Sequence, residues 1–170
     1  MTTTVEQAVS ALEQRYPSEL ASDWDAVGLV CGDPAATVQH VLFAVDPVLS
    51  VVDEALAVGA DMIVAHHPLF LHGVHSVAPT TPKGRVVHTL ISHGIALYCA
   101  HTNADHARPG VSDALAEACG LSATTAIDPA GEQVGTGRVG DRLEATTVGE
   151  LGDRLASVLP ATEHGIRIAG

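Results

Sequence analysis

The chain has 170 residues, 46% of them apolar and 16% charged, enough for one domain with a real core or for one lobe of a larger protein, with charges too few and too dispersed for a disordered chain. A net charge of −12 without any basic cluster excludes a nucleic-acid backbone as the main partner and favours cations. No apolar run approaches the ~18 residues of a membrane span, and the first ten residues lack the basic and apolar regions of a signal peptide.

In chain order, Val5, Ala8, Ala11 and Leu12 predict a helix over residues 4–15 that ends near Pro17. A loop containing Trp24-Asp25 follows; this sole Trp reads equally as a core anchor or as the border of a site. Residues 28–32 and 38–45 read as short buried strands joined by the Asp33-Pro34 turn. Asp46-Pro47 offers a helix cap followed by proline at the first helical position, and Gly59 a stop. A strand over 62–65 comes next, then a helix opened by Thr81-Pro82 and stopped by Gly94, then a strand over 95–100. Residues 111–119 predict a further helix. Beyond Asp128 the texture changes, with hairpin-like character at 135–140 and 145–147, a helix over 147–159 and the start of a strand at 166–169.

Strands alternating with helices predict an α/β fold, a mixed and largely parallel sheet covered by helices. The expected organisation is an N-terminal lobe over 1–128 and, over 129–170, a hairpin-like connector with the start of an incomplete second lobe. Cys31, Cys99 and Cys119 are odd in number, widely spaced and form no C-x-x-C, which predicts reduced thiols in a cytoplasmic protein; Cys99 falls in a buried strand and should be inert.

The chemistry concentrates in two segments. His66-His67-Pro68 and His101-Thr102-Asn103-Ala104-Asp105 each end a short apolar run, with a helix between them. A right-handed crossover puts both strand ends on one sheet edge, where open α/β sheets bind ligands. A single His at a strand end is more often a hydrogen-bonded structural residue; two converging segments, one with a spaced Asp, point to divalent metal. Neighbouring side chains on a strand diverge, so His66 and His67 can reach toward two ions ~3.5–4 Å apart, the spacing of many two-metal hydrolases. Imidazole with carboxylate suits Zn, Fe, Ni or Mn. The remaining histidines read as structural, and His106 as facing away or meeting substrate. Gly135-Thr136-Gly137-Arg138-Val139-Gly140 matches a dinucleotide fingerprint by letter but follows no apolar strand and opens no apolar helix; a tight turn beside packed backbone fits better.

Trp24-Asp25-Ala26-Val27-Gly28-Leu29, the His66-His67-Pro68 strand end and His101-Thr102-Asn103-Ala104-Asp105 followed by Gly110-Val111-Ser112-Asp113 occur in that order. Together they resemble the Nif-three-like family of dinuclear-metal proteins, labelled GTP cyclohydrolase I type 2 homologues. The resemblance implies two related lobes, two metal ions per complete site and a homohexamer. It matches His66, His67 and Asp105 to metal ligands and His101 to a site-lining position; in a hydrolase, His101 or His106 is expected to serve as proton shuttle. The label supports metal-dependent hydrolysis; the expected function is a hydrolase in which metal-bound hydroxide attacks a nucleotide-like or cyclic amide substrate, and the alternative is a non-catalytic metal-binding, interaction or regulatory protein. The family draws further ligands from a late His-x-x-x-Glu segment. No His here has Glu four residues on, so the chain is expected to be an N-terminal fragment. Ala26 stands where Asn is common in the family's Trp-Asp-Asn-Val-Gly-Leu motif.

Overall fold

The computed structural model describes residues 2–142 and 147–169. It divides into two compact units, Met1–Ala104 and Asp105–Gly170.

The first unit opens with β1 (Thr3–Thr4) and α1 (Val5–Arg15), whose start is held by a reciprocal cap between Thr4 and Gln7. Then come β2 (Gly28–Cys31), β3 (Thr37–Val38) and β4 (Val41–Ala44). The run expected over 38–45 therefore breaks in two. Gln39 and His40 donate their backbone N–H groups to the Asp61 carboxylate instead of a strand partner. Next are α2 (Leu49–Val58), β5 (Met62–Ala65), α3 (Pro82–Ser92) and β6 (Ala96–Cys99).

The main sheet has the order β2-β6-β5-β4, with β4, β5 and β6 parallel and β2 antiparallel to β6. This is the mixed, largely parallel sheet expected. Alternation along β5 and β6 sorts the core: Ile63, Ala65 and Leu97 join residues of α2 and α3 on one face, while Met62, Val64, Ala96 and Tyr98 join Val5 of α1 on the other. Both faces are buried, which is why these strands read as unbroken apolar runs.

α4 (Thr102–His106) carries the chain from one unit into the next. The second unit holds α5 (Val111–Ala118), β7 (Leu121–Thr125), β8 (Asp128–Pro129), β9 (Gly135–Thr136), β10 (Val139–Arg142) and α6 (Val148–Val158). It begins ahead of the change in texture at residue 128 because β7 pairs antiparallel with β10 across that point. The stretch 135–140 is not one hairpin: Gly135–Thr136 pairs back with β8, while Val139 begins β10 and pairs with β7. Of the stretch 145–147, Ala145 and Thr146 lie outside the described residues, and Thr147 caps α6. Residues 166–169 are not a strand: no described strand offers them a ladder.

The false fingerprint has a structural purpose. Gly135, at φ +141°, passes so close to Asp128 that a Cβ would sit 2.2 Å from its carbonyl oxygen. The close approach brings in Arg138, which is buried and directs all five of its N–H donors to acceptors. Nε and Nη2 donate to the Asp113 carboxylate at 2.5 and 2.9 Å, Nη1 to the carbonyls of Gly135 and Gly137, and Nη2 also to that of Ala107.

Among the described residues no helix is long and apolar enough to cross a membrane. The three cysteines are free thiols. Cys99 is buried, which pushes its pKa up to about 12 and makes it the inert thiol expected.

Candidate metal centre

β5 and β6 run parallel with Ala65 level with Cys99, so His66-His67 and His101 leave the same edge of the sheet. The ladder extends past both strand ends: Ala100 N–H donates to Ala65 and His66 N–H to Ala44, at 3.0 Å each. The three imidazoles then converge. One ring nitrogen of each of His66, His67 and His101 lies within 4.8 Å of the others, a group that could hold a metal ion. Neighbours expected to diverge on a strand meet here because both lie beyond the last residue of β5.

What each ring does with its other nitrogen decides whether the group suits a metal. His101 Nδ1 bonds the Asp25 carboxylate at 2.9 and 3.1 Å, His67 Nδ1 bonds Asp46 at 2.7 Å, and His66 Nδ1 bonds the Ala100 carbonyl at 3.0 Å. All three acceptors require a proton on Nδ1, so the lone pair of each neutral ring falls on Nε2. Metal-ligating histidines are oriented in this way by carboxylates and backbone carbonyls. The donor set fits a divalent ion of the Zn, Fe or Ni type.

The acids arrive through strand register. Ala44 is level with Ala65 in the parallel β4–β5 pair, so Asp46 comes level with His67. Gly28 is level with Cys99 in the antiparallel β2–β6 pair, so Asp25 comes level with Thr102. From sequence, Asp46 reads as the cap of α2. The structure corrects this: the N-cap is Val48, without a side-chain hydrogen bond, and the Asp46 carboxylate meets His67.

Asp25 is the more enclosed of the two acids, its side chain fully screened from solvent. Burial pushes its pKa up, but bonds from the Thr102 hydroxyl, His101 and the N–H groups of Thr102 and Ala26 outweigh burial and hold its carboxyl below the usual range. Thr102 Oγ1 donates to Asp25 at 2.5 Å and accepts from Ser22 N–H. Asn103, fully buried, accepts from His101 N–H and donates to the Tyr16 carbonyl. Residues 101–103 thus lock the His101 backbone as well as its ring. Asp25→Asn keeps the shape but removes the anion that orients His101. Zinc affinity should fall about 10–100-fold by competition titration, and an unchanged affinity would remove Asp25 from the site.

Trp24 does not anchor the core. It is 59% exposed and lies edge-on to His101, ring centroids 5.9 Å apart, so it borders the site. Asp105 is half-buried on α4 and begins the second unit. His106 is buried in that unit with Nε2 bonded to the Thr136 hydroxyl at 2.9 Å. His40 and His93 turn their Nδ1 atoms to the carbonyls of Gly59 and Thr89.

Comparison with known proteins gives the family. The GTP cyclohydrolase 1 type 2 homolog of Streptomyces coelicolor is 53% identical over 169 residues, covering 96% of this chain and 59% of the relative. That of Mycobacterium tuberculosis is 50% identical over 129 residues, covering 76% of this chain and 34% of the relative. Among solved structures, reduced HcgD from Methanocaldococcus jannaschii superposes with a TM-score of 0.80 at 28% identity, over 92% of this chain and 60% of that one. The chain thus spans between about a third and three-fifths of the length of these proteins. Residues 3–170 match the family described as Duf34/NIF3 (NGG1p interacting factor 3), and the chain belongs to that family.

Proposed function

We propose that this chain supplies the imidazole ligands of a dinuclear divalent-metal centre in a cytoplasmic, homohexameric hydrolase acting on a nucleotide-like or cyclic amide substrate. The observation that carries the reading is the approach of one ring nitrogen from each of His66, His67 and His101 to within 4.8 Å, in rings whose Nδ1 atoms are all hydrogen-bonded. His66, His67 and His101 hold metal in this proposal. Membership of the group is what supports a ligand role for His101 beyond that of a proton shuttle. Asp105 is proposed as the carboxylate ligand on its one-turn spacing from His101, and His106 as the residue that moves a proton. The names of the relatives support the substrate class.

A divalent ion held by His66, His67 and His101 would supply Lewis acidity. The protein's own part is orientation. Asp25 and Asp46 fix two rings, the Ala100 carbonyl fixes the third, and Trp24 packs edge-on against His101.

The test is metal-dependent ring opening of purine nucleotides and cyclic amides, with metal content measured in parallel. Turnover by the metal-loaded chain should disappear in His67→Ala and Asp105→Ala. Wild-type rates in both variants would end the hydrolase reading. Bound metal without turnover on any of these substrates would favour a non-catalytic metal protein instead.

A further inference from the structure

We infer that the cleft beside His67 binds a phosphate monoester with an apolar body, its phosphate held by Lys83 and Arg85. The cleft has a volume of about 410 Å³ and lies beyond the carboxyl ends of β4 and β5, with Asp46 and His67 in its lining. Val48, Leu49, Leu69 and Val86 make most of the remaining wall apolar. That size falls in the ~300–1,000 Å³ range of small-molecule sites.

Charge placement points to the ligand. Lys83, the only lysine of a chain with net charge −12, and Arg85 both line this cleft. They stand at the second and fourth positions of α3, where the positive end of the helix dipole repels cations. Neither α2 nor α3 has an acid in its first turn, and α2 has no side-chain cap. The one carboxylate in the lining, Asp46, is bonded to His67. Among the described residues neither cation lies within 4.0 Å of a carboxylate, and Lys83 Nζ rests 5.7 Å from the Phe70 ring centroid. Two cations placed where they oppose the helix, beside two helix N-termini, match a dianion better than a single negative charge. The apolar wall then takes the body of the ester. The substrate's reactive end would lie toward His67, and for that end alone the inference rests on the metal-centre reading.

Titrating the chelator-stripped 170-residue chain at low salt with phenyl phosphate, inorganic phosphate, benzoate and phenol tests the site without metal. Phenyl phosphate should bind saturably, at least tenfold more tightly than benzoate or phenol and more tightly than inorganic phosphate, and weaken with salt. Lys83→Gln/Arg85→Gln should lose at least tenfold in phenyl phosphate affinity while binding zinc as the wild type does. His66→Ala/His101→Ala should lose zinc and keep the ester. No saturable binding, equal binding of phenol or benzoate, unchanged affinity in the Lys83/Arg85 variant, or loss confined to the histidine variant would each overturn the inference. Zinc binding by the Lys83/Arg85 variant reports separately on the metal centre.

Discussion

His101→Ala is expected to lose zinc affinity by on the order of a hundredfold or more, because it removes a donor whose ring and backbone are both held in place. Removing only an orienting partner of a ligand costs 10–100-fold, so removing the ligand costs at least the upper part of that range. The loss also appears in stability. An ion at a hundred times its dissociation constant stabilises the folded state by about 2.7 kcal/mol, and at a hundredfold weaker site by only about 0.4 kcal/mol. The zinc-induced rise in Tm should therefore shrink by several degrees. His66→Ala and His67→Ala should behave alike, with the smaller effect at His67, whose side chain is 48% exposed. His88→Ala, exposed on α3 and outside the group, is the control. Zinc binding that survives in all three site variants, or falls equally in the control, would contradict the site.

The second large effect lies in the second unit. Arg138→Met should destabilise it by about 3–5 kcal/mol, the cost of breaking a buried ion pair from one side. Two Asp113 contacts and three backbone carbonyls lose their donors together. Arg138→Lys keeps the charge with three donors in place of five and should fall between the two. Acid should act through the same pair. The Arg138 bond holds the Asp113 carboxyl below its usual pKa, with burial opposing it. A depressed carboxyl contributes stability that is complete above the unfolded value, about 3.9, and is lost as pH falls through the folded value. The melting temperature of wild type should therefore drop more steeply below about pH 4 than that of Asp113→Asn. Parallel curves for the two proteins, or a Tm unmoved in Arg138→Met, would show that the clamp does not hold the unit together.

Much of the first unit was legible because its signals are local. Thr81-Pro82 opens α3, Gly59 closes α2, and the apolar runs of β5 and β6 announce strands buried on both faces. That the His66-His67 and His101–Asp105 segments reach one sheet edge followed from the strand-helix-strand crossover; that His101 joins His66 and His67 in the group of ring nitrogens did not. Asp46 was harder, since Asp-Pro ahead of an apolar stripe reads as a helix cap. Its partner is 21 residues away, and only the β4–β5 register reveals it. Asp25 needed the antiparallel β2–β6 pairing in the same way, which sequence periodicity does not encode. Arg138 hid inside a glycine-rich string whose letters suggest phosphate binding. The glycines serve backbone approach, and the charge between them is satisfied internally.

Whether Nε2 carries the lone pair in all three rings is read most directly by two-bond ¹H–¹⁵N correlation NMR of the metal-free chain, followed by zinc addition. His66, His67 and His101 should each show the Nδ1–H pattern with an unprotonated Nε2, and zinc should shift those Nε2 signals selectively. An Nε2–H pattern in two of the three rings, with no Nε2 shift on zinc addition, would contradict a metal centre built from these residues.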